Sequence, residues 1–166
     1  YYDDPDPAIP GRNWGWNLGN EWGSGINFCF KVWDEFGAES SACKDNYFSD
    51  GTNDNQSSKW THVVGVFKGN EKLELYVNGS LVDSIYNNPT ADPPASVISA
   101  ISYSDLTDPL TIGRRSRNPQ SYFDGYIDEV RVYNRAITAS EARLLFEAKQ
   151  KECIFNVDVR DSYERS

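Results

Sequence analysis

The most constraining feature of this chain is local: the stretch Leu73-Glu74-Leu75-Tyr76-Val77-Asn78-Gly79-Ser80-Leu81-Val82-Asp83-Ser84-Ile85. Leu73, Leu75 and Val77 alternate with other residues, the two-residue period of a strand that turns one face to a core. Asn78-Gly79 then supplies two residues that tolerate positive φ, as the turn of a two-residue type I′ hairpin demands, and Leu81 to Ile85 returns antiparallel. An isolated hairpin is marginal in water, so a chain committed to one here must bring further strands to cover it.

Strand character recurs about every ten residues, between clusters of Gly, Asn, Asp and Ser, which is the pattern of an all-β chain. The clearest runs are Ile26 to Trp33, Trp60-Thr61-His62-Val63-Val64-Gly65-Val66-Phe67, Leu110-Thr111-Ile112-Gly113, and Tyr122 to Tyr133, the longest. Asn87 to Pro109 carries four prolines and is expected to begin and end as loop, with Val97 to Tyr103 as a short edge strand. One helix is expected. Thr138-Ala139-Ser140-Glu141 fits a capping box, and Ala142, Leu145 and Phe146 follow at helical spacing as a buried stripe. The expected organisation is a linker over 1–12, rich in Asp and Pro, a β-sandwich over 13–150, and a tail over 151–166 in which Cys153 to Val159 alternates like a further strand.

Asp34-Glu35-Phe36-Gly37-Ala38 has the composition of a hairpin turn, and Cys29 and Cys43 are equidistant from Phe36. A hairpin centred there sets the two cysteines on facing strands. They are either bonded, in an oxidising compartment, or two buried free thiols. If bonded, the loop contributes about 3 kcal/mol in the chain-entropy account. Cys153 is left over, which in a secreted protein implies a missing partner. The three cysteines and the lone His62 match no zinc spacing.

Sixteen Lys and Arg against 25 Asp and Glu leave a formal charge of −9, which argues against a polyphosphate partner and hence against nucleic acid. No apolar stretch approaches the roughly 18 residues needed to cross a bilayer, so no membrane insertion is expected. The sequence contains no Met, so Tyr1 is not expected to be a translation start; a processed product, or a piece of something longer, is.

Within Tyr126 to Tyr133, a two-residue period puts Tyr126, Asp128, Val130 and Val132 on one face, and Ile127, Glu129, Arg131 and Tyr133 on the other. Asp128 thus shares the more apolar face, where a carboxylate is costly unless paired, and that face of the run offers no Lys or Arg. A structural calcium ion held by Asp128 and backbone carbonyls resolves the conflict; the alternative is that Asp128 lies at a solvated strand end. Arg114, Arg115 and Arg117 form the only basic cluster of an acidic chain, in a loop that ends at Tyr122. Guanidinium planes beside a ring suit sugar carboxylates or sulfates, and these four residues are the candidate ligand contacts; the same cluster also balances neighbouring acids. Asp50 to Asn55 is dense in oxygen donors but has turn composition and no calcium-loop spacing. Asn55-Gln56-Ser57 and Asn78-Gly79-Ser80 match the glycosylation acceptor pattern. Trp14 and Trp16 fall on one side of a strand, with Trp22 soon after, as core or as a stacking platform for sugars. No Glu-x-Asp-x-x-Glu run, no Gly-x-Ser-x-Gly elbow and no phosphate-cradling loop is present, so no enzyme is expected.

The runs from Trp60, Leu73 and Leu110, with Phe123-Asp124-Gly125-Tyr126-Ile127-Asp128-Glu129-Val130-Arg131-Val132-Tyr133-Asn134-Arg135-Ala136-Ile137-Thr138, resemble in order the landmarks of concanavalin A-like, laminin G-like jelly-roll domains. The resemblance covers about Trp14 to Phe146. It implies two stacked antiparallel sheets, secretion or display at the cell surface, and use as a recognition or adhesion module for glycans or extracellular proteins. Other uses it leaves open are a structural part of a surface filament, or a lectin-like accessory domain of a secreted glycosidase. It implies a calcium ion at the position of Asp128. It also implies strands ahead of Trp14 that are not seen, which anticipates removal of upstream sequence, homotypic assembly, or a partner chain that completes the sandwich, with Cys153 to Val159 available for donation to a neighbour.

Overall fold

In a computed structural model of the chain, residues 15–22, 26–44, 60–88, 90, 96–101, 110–113, 122–123 and 125–148 are described. They form six strands: β1 (Trp16–Trp22), β2 (Ile26–Trp33), β3 (Glu39–Lys44), β4 (Val63–Lys68), β5 (Lys72–Val77) and β6 (Ser80–Tyr86). A helix, α1, covers residues 139–148. The strands make two antiparallel three-stranded sheets, ordered β1-β2-β3 and β4-β5-β6.

Two of the hairpins follow from their turns. Between β2 and β3 the Asp34 carboxylate accepts the amides of Phe36 and Ala38, both at 2.9 Å, which closes the loop and sets Cys29 opposite Cys43. Between β5 and β6, Asn78 and Gly79 take φ of 49° and 75°, the left-handed values the tight turn needs. A Cβ on Gly79 would also lie 3.2 Å from the Arg143 backbone of α1, so the glycine serves the turn and the helix that packs on it.

The main core lies between the sheets. Phe28, Phe30 and Val32 of β2 and Ala42 of β3 meet Leu73, Leu75 and Val77 of β5, with Trp16, Leu18, Val63 and Phe67 around them. Gly65 is needed there, because a Cβ would come within 2.7 Å of the Phe30 ring. The second face of β5 is covered too. Tyr76, with Val66 of β4, packs against Ile137 and Ala142 at the start of α1, so β5 is buried on both sides. Alternation alone implied one buried face, and α1 supplies the cover for the other.

The capping box forms as its residue types dictate. The Glu141 amide donates to the Thr138 hydroxyl at 3.2 Å, and the Glu141 carboxylate accepts the Thr138 amide at 2.8 Å. Arg135 adds a two-pronged ion pair to the same carboxylate, and together these hold the Glu141 carboxyl down at about 2. Thr138→Ala is expected to cost about 1 kcal/mol, read as a lower denaturation midpoint at unchanged m-value.

Three expected strands do not form among the described residues, where Tyr122 makes only an isolated bridge. Residues 110–113 and the described part of 122–133 have no strand conformation, and Glu129 interrupts the latter with φ of 53°. The described part of the Val97 to Tyr103 run is likewise irregular, yet it is anchored: Val97 enters the main core, Ile98 N–H donates to the Ser40 hydroxyl at 3.1 Å, and Ile98 C=O accepts the Asn70 amide at 3.1 Å. The physical reason is common to all three. A β-prone run becomes a strand only when a neighbour completes its hydrogen-bond ladder, and these runs lack such a ladder among the described residues.

Candidate functional site

The described residues that flank the basic run are Gly113 and Tyr122. Phe123 N–H donates to Gly113 C=O at 2.8 Å, so the residues on either side of the basic run meet. Tyr122, beside that contact, has 68% of its surface exposed. Arg114, Arg115 and Arg117 lie outside the described residues. An exposed ring can stack on a sugar face, and guanidinium groups donate bidentate hydrogen bonds to anionic oxygens.

Asp128 is exposed, not sequestered on an apolar face. Its Oδ1 accepts the Glu129 amide at 2.7 Å, an ordinary local hydrogen bond. The positive φ of Glu129 breaks the two-residue alternation that placed Asp128 inside, and Tyr126 and Val132 are outside as well. Glu129 is engaged by Arg131 at 2.6 Å. Among the described residues no three His, Cys, Asp or Glu side chains gather in a way that could hold a metal ion. The described side chains thus supply Asp128 with no cluster of acidic partners, and a hard cation there would depend on backbone oxygens. Asp128→Asn is expected to change stability by less than about 0.5 kcal/mol, and thermal melts with calcium or with a chelator are expected to coincide.

Other polar groups are held inside. Cys29 and Cys43 are bonded, with Cα atoms 4.1 Å apart on directly paired positions of β2 and β3. Their facing register is the one the Phe36-centred turn imposes. Asp83 of β6 accepts the Cys43 amide at 2.7 Å, so one side chain of the second sheet satisfies a donor on the β3 edge of the first. Glu74 is 3% exposed. Its carboxylate accepts the hydroxyls of Tyr76 at 3.0 Å and Tyr86 at 2.7 Å and the Lys72 ammonium at 2.8 Å. Burial alone would raise this carboxyl, but the hydrogen bonds from Lys72, Tyr86 and Tyr76 outweigh it and hold it below the usual range. Neither Glu74 nor Asp83 stood out in the sequence. The available signal was Lys72-x-Glu74-x-Tyr76, three polar-tipped residues on one face of a strand.

His62 precedes β4 instead of lying within it. Its amide donates to the Asn78 side-chain oxygen at 3.0 Å, and its C=O accepts the Asn78 amide at 2.8 Å, so the carboxamide of the second glycosylation pattern braces the hairpin turn. Burial, and then the Arg131 charge, lower the imidazole pKa. Trp16 packs partly buried against the main core, as a core residue would; Trp14, the side chain of Trp22, the Asp50 to Asn55 loop, Asn55 and Cys153 lie outside what is described.

A family model of the laminin G type, described as the concanavalin A-like lectin/glucanases superfamily, matches residues 4–143. The chain belongs to this family. The two antiparallel sheets with a closing helix are a concanavalin A-like sandwich. Among curated proteins, this laminin G-like domain is similar to Adhesion G-protein coupled receptor D1 of Homo sapiens, 34% identical over 89 residues, and to the same-named receptor of Bos taurus, 33% identical over 89 residues. Each match covers 54% of the chain but only 9% and 8% of the respective receptor, so the domain spans less than a tenth of these relatives. A solved S-layer domain-containing protein segment from Clostridium thermocellum aligns with 83% of the chain and 66% of its own, at 19% identity and a TM-score of 0.42.

Proposed function

We propose that this laminin G-like domain is a non-catalytic recognition or adhesion module that works outside the cell and binds a glycan or a protein surface. The observation that carries the reading is the 34% identity to an adhesion receptor over 89 residues, within a family that unites lectins with glucanases. The lectin side of that family is favoured by the carboxylates. Glycoside hydrolysis needs two acids flanking an open cleft, whereas Glu74, the buried carboxylate of the described core, is tied to two phenols and an ammonium. The Cys29–Cys43 bond favours an oxidising compartment.

The ligand contacts in this proposal are Arg114, Arg115 and Arg117 with the Tyr122 ring, reading carboxylated or sulfated sugars or an acidic protein face. Purified chain is applied to a glycan array and to immobilised cell-surface proteins, beside the Arg114→Ala/Arg115→Ala and Tyr122→Ala variants. Binding is expected to weaken by about tenfold or more per lost charged contact. Binding untouched by these variants overturns the assignment of the loop. Turnover of an oligosaccharide overturns the non-catalytic reading.

A further inference from the structure

His62 is the single imidazole of the chain, and it stands where two elements meet. Its backbone is tied to the β5–β6 turn by two hydrogen bonds with Asn78. Its ring lies against the Phe146 ring near the end of α1, with centroids 6.0 Å apart and planes tilted by 37°. Phe146 also rests on the turn itself, where a Cβ on Gly79 would lie 3.2 Å from its Cδ1. The later half of α1 is thus seated on His62 and Gly79. Its first turn is held separately, by the Thr138–Glu141 cap and the Arg135 ion pair.

These surroundings suit the neutral ring. His62 Nδ1 is buried and has no hydrogen-bond partner among the described residues. The charge that bears on the ring is positive: it is Arg131, itself held by Glu129 and Tyr133. On α1 the charged groups next to Phe146 in the chain, Arg143 and Glu147, are paired with each other at 2.6 Å, and Glu141 at the helix start is paired with Arg135. The β5–β6 turn contributes the uncharged Asn78 carboxamide, and β4, which follows His62, carries no charge before Lys68. Each of the three carboxylates already has its own arginine. A protonated ring is therefore a second cation beside Arg131, and its Nδ1–H finds no acceptor among the described residues.

We propose that His62 is a pH latch for α1: the neutral ring keeps the end of the helix seated on the sandwich, and its protonation in mildly acidic surroundings frees that end from the β5–β6 turn. The direction follows from linkage. Burial, and then the Arg131 charge, hold the docked ring below the ordinary histidine value of 6.5, which the freed ring regains. The stabilisation of the docked helix is complete above about pH 6.5 and is lost as the pH falls toward the docked value. The buried and capping carboxylates do not share this window. Glu74 and Glu141 are held below their ordinary value of 4.5, so their contributions are lost only in more acidic solution.

Two measurements on the whole chain test this. Proton NMR of the single imidazole, followed from about pH 8 to about pH 4.5, reads its titration directly. Amide hydrogen exchange along α1 at the same pH values, corrected for intrinsic rates, reads the helix. The imidazole is expected to titrate below about 6.5, and protection of the amides of residues 145–148 to fall by up to about tenfold per pH unit below that value. The β5 amides are expected to stay far better protected throughout. His62→Gln, neutral at every pH, is expected to make helix protection level across this window. Arg131→Gln, which leaves the ring in place and serves if His62→Gln does not fold, is expected to raise the imidazole titration and shrink the loss of protection. An imidazole that titrates at or above about 6.5 overturns the proposal. So do wild-type helix protection that is level with pH, protection lost only together with that of β5, and an unchanged pH dependence in either variant.

Discussion

Leu75→Ala is expected to lower the free energy of unfolding by about 3 to 4 kcal/mol, within the range of about 2–5 found for such truncations. Leu75 has no exposed surface, occupies the middle of β5 and is flanked by Gly65 on β4 and Asp83 on β6. It belongs to the cluster in which β5 meets Phe28, Phe30 and Val32 of the opposite sheet. Truncation removes the transfer free energy of three carbon atoms and leaves a void that β5, fixed by partners on both sides, cannot collapse into. A domain of this size has only about 5–15 kcal/mol of stability in total, so the variant is expected to sit near its folding limit. Urea denaturation checks this: the midpoint should fall at an unchanged slope. A loss below about 1 kcal/mol would mean that the two sheets do not share this core.

Opening the Cys29–Cys43 bond is expected to cost about 3 kcal/mol, or about 10 °C in melting temperature. The bond closes a loop of sequence separation 14, and the chain-entropy account assigns its effect mainly to the reduced chain's greater unfolded freedom. The hairpin itself should survive, because its register is set independently by the Asp34 carboxylate, which holds the amides of Phe36 and Ala38. Melts of oxidised chain and of the Cys29→Ala/Cys43→Ala variant isolate the effect. Cys29 is 1% exposed, so the alanine pair reports a small cavity in addition to the lost cross-link. Equal melting temperatures would place the stabilisation elsewhere.

The hairpins were legible in the residues because each depends on a few neighbours. Asn78-Gly79 accepts positive φ, and Asp34 bonds to amides two and four residues on. The register about Phe36 then paired Cys29 with Cys43 by arithmetic. The start of α1 was legible for the same reason, since Thr138 and Glu141 satisfy each other across three residues. The candidate sites were legible only as residue types. A two-residue period put Asp128 on an apolar face, but that period holds only in a paired strand, and a left-handed turn at Glu129 returned the carboxylate to water. The hydrogen bond from Phe123 to Gly113 joins residues whose pairing no local pattern marks.

The sequence by itself determined the all-β class, two of the turns and the helix cap, because those rest on φ preference and on hydrogen bonds within a few residues. Only the tertiary structure decided which faces are buried. β5 reads as half-buried and is buried on both sides because α1 folds back over Tyr76, and Glu74 is tolerated inside because Lys72, Tyr76 and Tyr86 converge on it. Burial depends on what arrives from far along the chain, and alternation records only which side of a strand a residue faces.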